Sequence, residues 1–202
     1  MNSPRDIISH FAIQGRATAV EPLGEGFIND TYKVFVEGCA EPAYILQRKN
    51  HNVFPDVASM MDNIKRVTDH IRKKVDDPLR GTLTIVPASD GKLFYLDGSG
   101  NYWAVCVFIS DTVSYFQADT PELAYQGGYG LGLFHRQVSD FNEPLTEIIK
   151  GFHNIRFRFS QWDSVLEQDP AGRCKDLARE IDWIEGRRSV MLDFWSRDDE
   201  YE

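Results

Sequence analysis

The chain has 202 residues, 42% hydrophobic and 26% charged, enough to close one domain core or a small and a partial one. A formal net charge of −9 argues against a nucleic-acid surface. No run approaches membrane-spanning length, the start lacks a basic-then-apolar signal, and three widely spaced cysteines (Cys39, Cys106, Cys174) suit reduced thiols in a cytoplasm rather than disulfides or a zinc site.

Ser3-Pro4-Arg5-Asp6 reads as a helix start, with Ser as cap, Pro in the first turn and Asp three residues after the cap. Ala17 to Leu23 and Thr31 to Val36 read as strands around a turn that carries Gly24 and Gly26. A third strand follows at Tyr44-Ile45-Leu46-Gln47-Arg48-Lys49. From Asp56 to Val75 the apolar residues Val57, Met60, Met61, Ile64, Val67, Ile71 and Val75 form a helical stripe, capped by Asp56. Thr82 to Pro87, Lys92 to Leu96 and Tyr102 to Ile109 are three further strand candidates, separated by turns at Asp90-Gly91 and Gly98-Ser99-Gly100. This order predicts a mainly antiparallel sheet from Arg16 to Ile109 with the one helix packed on it, since the short turns leave no room for parallel crossovers. Cys106 is expected to be a small core residue. Beyond Ser110 to Tyr115, helices take over. Pro121 to Val138 reads as helical despite Gly127, Gly128, Gly130 and Gly132, each costing about 1 kcal/mol relative to Ala. A second capping box is expected at Ser160-Gln161-Trp162-Asp163, and Leu177, Ile181, Ile184, Met191 and Trp195 predict a final helix with an exposed apolar face, a surface for dimerisation.

Two glycines one residue apart in a strand-turn-strand unit let backbone N–H groups approach a phosphate. A long polar or cationic side chain on the next strand completes the layout of a kinase-type glycine-rich loop. The competing reading is an ordinary hairpin turn.

Several segments then match one family in order along nearly the whole chain. They are Ile8-Ser9-His10-Phe11, Gly24-Glu25-Gly26-Phe27-Ile28-Asn29-Asp30-Thr31-Tyr32, Tyr44-Ile45-Leu46-Gln47, Phe54-Pro55-Asp56, Asn63-Ile64, Ile109-Ser110-Asp111-Thr112-Val113-Ser114-Tyr115, and Phe152-His153-Asn154 with Arg158-Phe159. The chain resembles the aminoglycoside phosphotransferase/choline kinase superfamily and, more closely, the N-acetylhexosamine 1-kinases. The resemblance implies an α+β, protein-kinase-like fold. An antiparallel-sheet N-lobe with one packed helix would span residues 1–109, a hinge 110–115, and an incomplete helical C-lobe 116–202. It also implies ATP as cofactor, magnesium in the full-length parent, and transfer of the γ-phosphate to the anomeric hydroxyl of an N-acetylhexosamine.

On that resemblance Gly24 and Gly26 form the phosphate loop. Asn29 and Thr31 share a strand face just past it and would face phosphate or sugar, or else shape the loop by hydrogen bonding. Gln47 stands where kinases of this broad fold carry Lys or Arg, and a neutral amide supplies no charge. Lys49 shares Gln47's face and is one replacement; a bulge bringing in Arg48 is the other, and a solvated surface is open for both. Asp62 is the candidate acidic partner, or a plain surface carboxylate. Phe108, Ser110 and Asp111, with Ile109, occupy the hinge where backbone groups would hold the base. Val34, Ile45, Val86 and Phe108 would sandwich the base or belong to the core. His153 and Arg158 are expected to organise packing between lobes.

The family's catalytic loop has the form H-x-D-x-x-x-x-N, its Asp serving as base. Two positions after His10, His51, His70, His135 and His153 stand Ala12, Val53, Arg72, Gln137 and Ile155, so no catalytic residue and no magnesium ligand is assigned. The expectation is the amino-terminal part of a longer kinase, inactive by itself. The rival class is a non-catalytic nucleotide-binding or interaction module, and choline, homoserine or an aminoglycoside are rival acceptors. A sulfatase is rejected: no Cys or Ser begins C-x-P-x-R or S-x-P-x-R, and Ser3-Pro4-Arg5 has the wrong spacing.

Overall fold

The computed structural model describes residues 3–24 and 26–196. Glu25 in the glycine turn and the tail Arg197–Glu202 lie outside them. The chain divides into two compact units, residues 1–148 and 149–202.

The first unit begins with the short helix α1 (Pro4–Ile7). Ser3 caps it by accepting from the Asp6 N–H, and Asp6 returns the bond to the Ser3 backbone, which is the box expected from the sequence. Six antiparallel strands follow: β1 (Ala17–Pro22), β2 (Asp30–Val36), β3 (Tyr44–Lys49), β4 (Ile85–Val86), β5 (Tyr95–Leu96) and β6 (Tyr102–Val107). Their order is β1-β2-β3-β6-β4, with β5 also on β6. The expected α+β class and antiparallel sheet are therefore present. β4 and β5 are shorter than the sequence suggests because both share one edge of β6, end to end: β4 opposite Val105 and Cys106, β5 opposite Tyr102 and Trp103.

Alternation divides the sheet into two faces. On one, Val34, Val36, Leu46, Trp103 and Val105 close over Ile7, Ile8 and Phe11 from the amino-terminal segment. On the other lies α2 (Val57–Arg72), whose Val57 and Met61 pack on Ala104 with Ile64, Ile85 and Tyr102 around them. Asp56 caps α2 by accepting from the Ser59 N–H, as expected. A short helix α3 (Pro78–Gly81), with Asp77 as cap, precedes β4.

Two polar devices fix this frame. Asp97, in the turn between β5 and β6, is 7% exposed. It accepts from the Ser99 and Asn101 N–H groups, the Asn101 amide and Trp103 Nε1. Burial pushes its carboxyl up, but the bonds from Trp103, Asn101 and Ser99 outweigh it and hold the group at about 2. The second device is a strap. Asn63, Arg66, His70 and Lys74 form one stripe along and just beyond α2. Asn63 exchanges two bonds with the Thr146 backbone, and Arg66 donates to Glu143 and to the Pro144 carbonyl. His70 and Lys74 meet Asp140, and Lys74 also donates to the Gln137 carbonyl. The segment after α4 (Pro121–Val138) is thus laced to α2. α4 is one unbroken helix despite its glycines, with Thr120 as cap and Pro121 in its first turn.

In the second unit α5 (Ile155–Gln168) starts at the Asn154 cap. Ser160 is therefore not a cap. It lies inside the helix, where its hydroxyl donates to the Phe157 carbonyl. The expected last helix is broken into a 3-10 turn at Cys174–Leu177, then α6 (Ala178–Glu185) and α7 (Arg188–Ser196). The break falls at Gly186, beyond which Arg188 turns back to bind Glu185 and Asp163. Trp162 Nε1 donates to the same Glu185. Trp183, Val190 and Phe194 are exposed in this single chain.

Candidate functional site

The glycine turn is built by two different needs. Gly24 has φ +66° with open space around it, so the turn takes a left-handed step that a side chain would resist. Gly26 has no such φ, but a Cβ there would stand 2.5 Å from the Asn29 carbonyl oxygen. The turn folds against itself at that point, and only hydrogen fits. Asn29 Oδ1 then accepts from the Asn50 N–H at 3.0 Å, tying the turn to the end of β3. Asn29 thus makes a hydrogen bond that shapes the loop.

Thr31, Gln47 and Lys49 form a linked row beside this turn. Register sets Thr31 opposite Gln47, and alternation sets Lys49 on the same side as Gln47. Gln47 Nε2 donates to Thr31 Oγ1 at 3.1 Å, and Lys49 Nζ donates to Gln47 Oε1 at 2.6 Å. The amide therefore faces both ways, holding a hydroxyl on one strand and a cation on its own. Burial pushes the Lys49 ammonium below its ordinary value, with the Cys106 thiol opposing slightly. Burial raises the Cys106 thiol, and Lys49 partly offsets that. Among the described residues no carboxylate pairs with Lys49. Gln47, Lys49, Met61, Ile64, Ile85 and Cys106 line a small cavity of about 40 Å³ between sheet and α2.

Arg48 takes the other face, where it ion-pairs Asp30. No bulge turns it toward Gln47, because β3 keeps continuous register with both neighbours. Asp62 does not reach Lys49 either; it lies 3.8 Å from Arg66, one turn along α2. Val34 and Val86 belong to the core opposite α2, so they cannot enclose a ligand on the Gln47 face. Ile45 is half-buried and shares the Gln47 face by alternation.

Phe108, Ser110 and Asp111, the residues expected at a hinge, lie at the other end of the sheet. The Phe108 N–H donates to the Ala43 carbonyl at 2.9 Å, just past the last residue of β6. Arg80 Nη1 donates to the Ser110 carbonyl at 3.0 Å, Ser110 Oγ donates to Asp111, and Asp111 turns with φ 54°. Phe108, Ser110 and Asp111 line one wall of an open depression of about 410 Å³ whose other wall is Cys39 to Ala43, leaving out Ala40. Ala104 lies opposite Gln47, four residues before Phe108. At about 3.3 Å per residue, Phe108 and the strand position of Gln47 are about 13 Å apart along one strand direction. The structure thus gathers the nine candidates into three groups along this line: Gly24, Gly26 and Asn29; Thr31, Gln47 and Lys49; Phe108, Ser110 and Asp111.

Two contributors escaped the sequence reading. Cys106 is half-buried beside Lys49 rather than sealed in the core, and the parity of Tyr102, Ala104 and Cys106 on β6 was the signal for it. Arg80 holds the Ser110 carbonyl from α3, and no local pattern announces that contact. His153 adopts φ 61° against the Phe152 ring, and Arg158 donates to Gln161 within α5. Among the described residues no group of three or more His, Cys, Asp or Glu side chains is placed to hold a metal ion.

No family model matches the chain. A solved spectinomycin phosphotransferase, in complex with ADP and spectinomycin, is similar over 86% of this chain and 56% of that one, at 13% identity and a TM-score of 0.42. The chain therefore spans a little over half the length of that protein. At this similarity the match assigns neither a family nor an activity.

Proposed function

We propose that this chain is the nucleotide-binding part of an ATP-dependent small-molecule phosphotransferase. The observation that carries the reading is the row Thr31–Gln47–Lys49 beside the glycine turn. Lys49 is half-buried with no carboxylate partner among the described residues, and such an ammonium is costly unless an anion visits it. Gln47 holds that ammonium in place, and a triphosphate lying from the hinge depression toward the turn would meet it. The role of Gln47 is then orientation, and that of Lys49 is charge. Backbone groups around Phe108 to Asp111 would hold the base, with Arg80 fixing the Ser110 carbonyl. The anomeric hydroxyl of an N-acetylhexosamine is the acceptor proposed, on the sequence resemblance alone.

Among the described residues no carboxylate stands beside Lys49, so these residues fit a nucleotide's charge and assign no magnesium ligand. No step is routed through the metal. Nor does any residue here match the base of H-x-D-x-x-x-x-N, so transfer is not proposed for the 202-residue chain by itself. Calorimetry with ATP, and an ADP-release assay with N-acetylhexosamine, test both halves. Binding no tighter than about millimolar, or about −4 kcal/mol, is expected, with no turnover. Turnover by this chain would show that one of the residues described as structural is the base. A ³¹P assay of the full-length gene product with N-acetylglucosamine, N-acetylgalactosamine, choline, homoserine and an aminoglycoside tests the acceptor. Phosphorylation of only a non-sugar acceptor would remove the sugar-kinase reading. A full-length product that binds nucleotide and transfers nothing would favour the binding-module alternative.

A further inference from the structure

At the end of the sheet away from the hinge, three segments close around a depression of about 300 Å³. They are the start of β2, the end of β3 with the turn after it, and the turn before β6. Arg48, Lys49 and His51 stand on its wall, together with Asn50, Asn52 and Asn101, the last with its side-chain amide donated to Asp97. Asp30 is the one carboxylate among the described lining residues, and Arg48 already pairs with it. Ile28 is the one apolar residue among the described lining residues.

That wall selects its ligand class. It offers N–H donors from guanidinium, ammonium and amide groups, and its net charge is positive on a chain of net charge −9. An apolar molecule would find almost no apolar surface, and a cation would meet Lys49 and Arg48. The volume is at the lower end for a ligand site, which suits a single charged group rather than a base and sugar together. The Asn29–Asn50 bond joins this wall to the glycine turn, so turn and depression are held as one piece.

We propose that this depression is an oxyanion subsite that takes a phosphoryl group. The group has two sources. It is the terminal phosphate of a nucleotide lying on the Gln47 face, which rests on the function proposed above, or the phosphate of a separate small molecule, which does not. Arg48 and His51 are the residues that distinguish the subsite, because neither belongs to the row on the Gln47 face.

The test is titration of the whole chain with inorganic tripolyphosphate at low and at moderate salt, followed by ³¹P line broadening and calorimetry. The wild type is expected to bind, and to bind several-fold more weakly as salt rises. Arg48→Gln and His51→Gln are each expected to weaken binding about five-fold or more, the loss of one charge-assisted bond. Asp30→Asn is expected to tighten it, a change that a merely structural role for the Arg48–Asp30 pair would not produce. No binding at low salt, or equal binding by wild type and both weakening variants, would overturn the proposal. AMP and ATP then separate the sources. If the variants weaken ATP and spare AMP, and tripolyphosphate competes with ATP, the nucleotide's own phosphate fills the subsite. If ATP and tripolyphosphate bind together, a separate ligand does; either pattern upholds the subsite. Failure of AMP or ATP to bind at all, with tripolyphosphate still bound, would remove the nucleotide reading alone.

Discussion

Replacing Lys49 with methionine separates stability from binding. Among the described residues Lys49 Nζ donates one hydrogen bond, to the neutral Gln47 amide, and its pKa is lowered by burial. The charged form is therefore less favourable in the folded site than in the unfolded chain, because burial is not fully offset. Losing the bond costs about 1 kcal/mol, and removing a partly desolvated ammonium returns about 2 kcal/mol. The methionine stem can pack on Met61, Ile64 and Ile85, which border the same small cavity. The net expectation is a gain of about 1 kcal/mol at neutral pH, or about 2–4 °C in Tm for a domain of this size. The pH dependence follows from the direction of the shift. Between the lowered folded pKa and the unfolded value of about 10.4, the unfolded chain holds the extra proton, so wild-type stability rises with pH. The advantage of Lys49→Met should therefore shrink as pH rises through that window. Urea unfolding of the sheet-containing unit at pH 7 and pH 10, with ATP titration of both proteins, measures this. A variant that is less stable at pH 7, or an advantage that does not change with pH, would show that the ammonium is well compensated. The argument for a visiting anion would then fail.

Other substitutions probe the frame around the site. Asn29→Ala removes the acceptor for the Asn50 N–H and should cost about 1–2 kcal/mol, with faster amide exchange in residues 23–30; unchanged exchange would mean that the turn holds its shape unaided. Gly26→Ala drives a Cβ against the Asn29 carbonyl and should displace the turn, seen as shifted amide resonances from Leu23 to Thr31; an unshifted spectrum would contradict the close approach. Asp97→Ala strands Trp103 Nε1 and two backbone donors and should cost about 3 kcal/mol by chemical denaturation. Because its carboxyl is held at about 2, the wild type should keep Asp97's contribution above pH 4 and lose it as pH falls through about 2. Asp97→Asn should flatten that limb, and an unchanged acid transition would refute the assignment. Gly128→Ala in α4 meets nothing within 4 Å and should stabilise by about 1 kcal/mol; a loss of stability would reveal a surface covering that side of the helix.

What local pattern determines was readable from the sequence. Ser3 and Asp6, Asp56, and the stripe from Val57 to Ile71 mark their helices because capping and burial act within a turn or two. β1 to β3 and β6 were recovered for the same reason, since each pairs along most of its length. β4 and β5 were overestimated because their length is set by how much of β6 each can reach, a quantity absent from their own residues. The last helix was overestimated because its apolar spacing runs through Gly186 without registering that Arg188 gains more from folding back on Asp163 and Glu185. At the site, alternation placed Gln47 and Lys49 together and Arg48 apart, which parity alone decides. Of the two readings of Asp62 the surface carboxylate is the one seen, because i,i+4 geometry gives it Arg66 close at hand, whereas reaching Lys49 depends on how α2 lies on the sheet. Arg80 at the Ser110 carbonyl was not legible at all, since thirty residues separate the partners.

The position of β6 in the sheet has a consequence for the nascent chain. β1, β2 and β3 leave the ribosome in the order in which they pair, so a three-stranded meander can assemble as it emerges. Its Leu46 edge then waits for Tyr102–Val107, the strand that also supplies Ala104 as the seat of α2. About 60 residues must be made in the interval, which at about 5–20 residues per second leaves an open edge for about 3–12 s. During that time Tyr44, Leu46, Val57 and Met61 have no lasting partners. This pause, rather than any weakness of the finished fold, is where synthesis of this protein is most exposed to misassociation, and slowing translation after Lys49 should lower its yield more than slowing it after Val107.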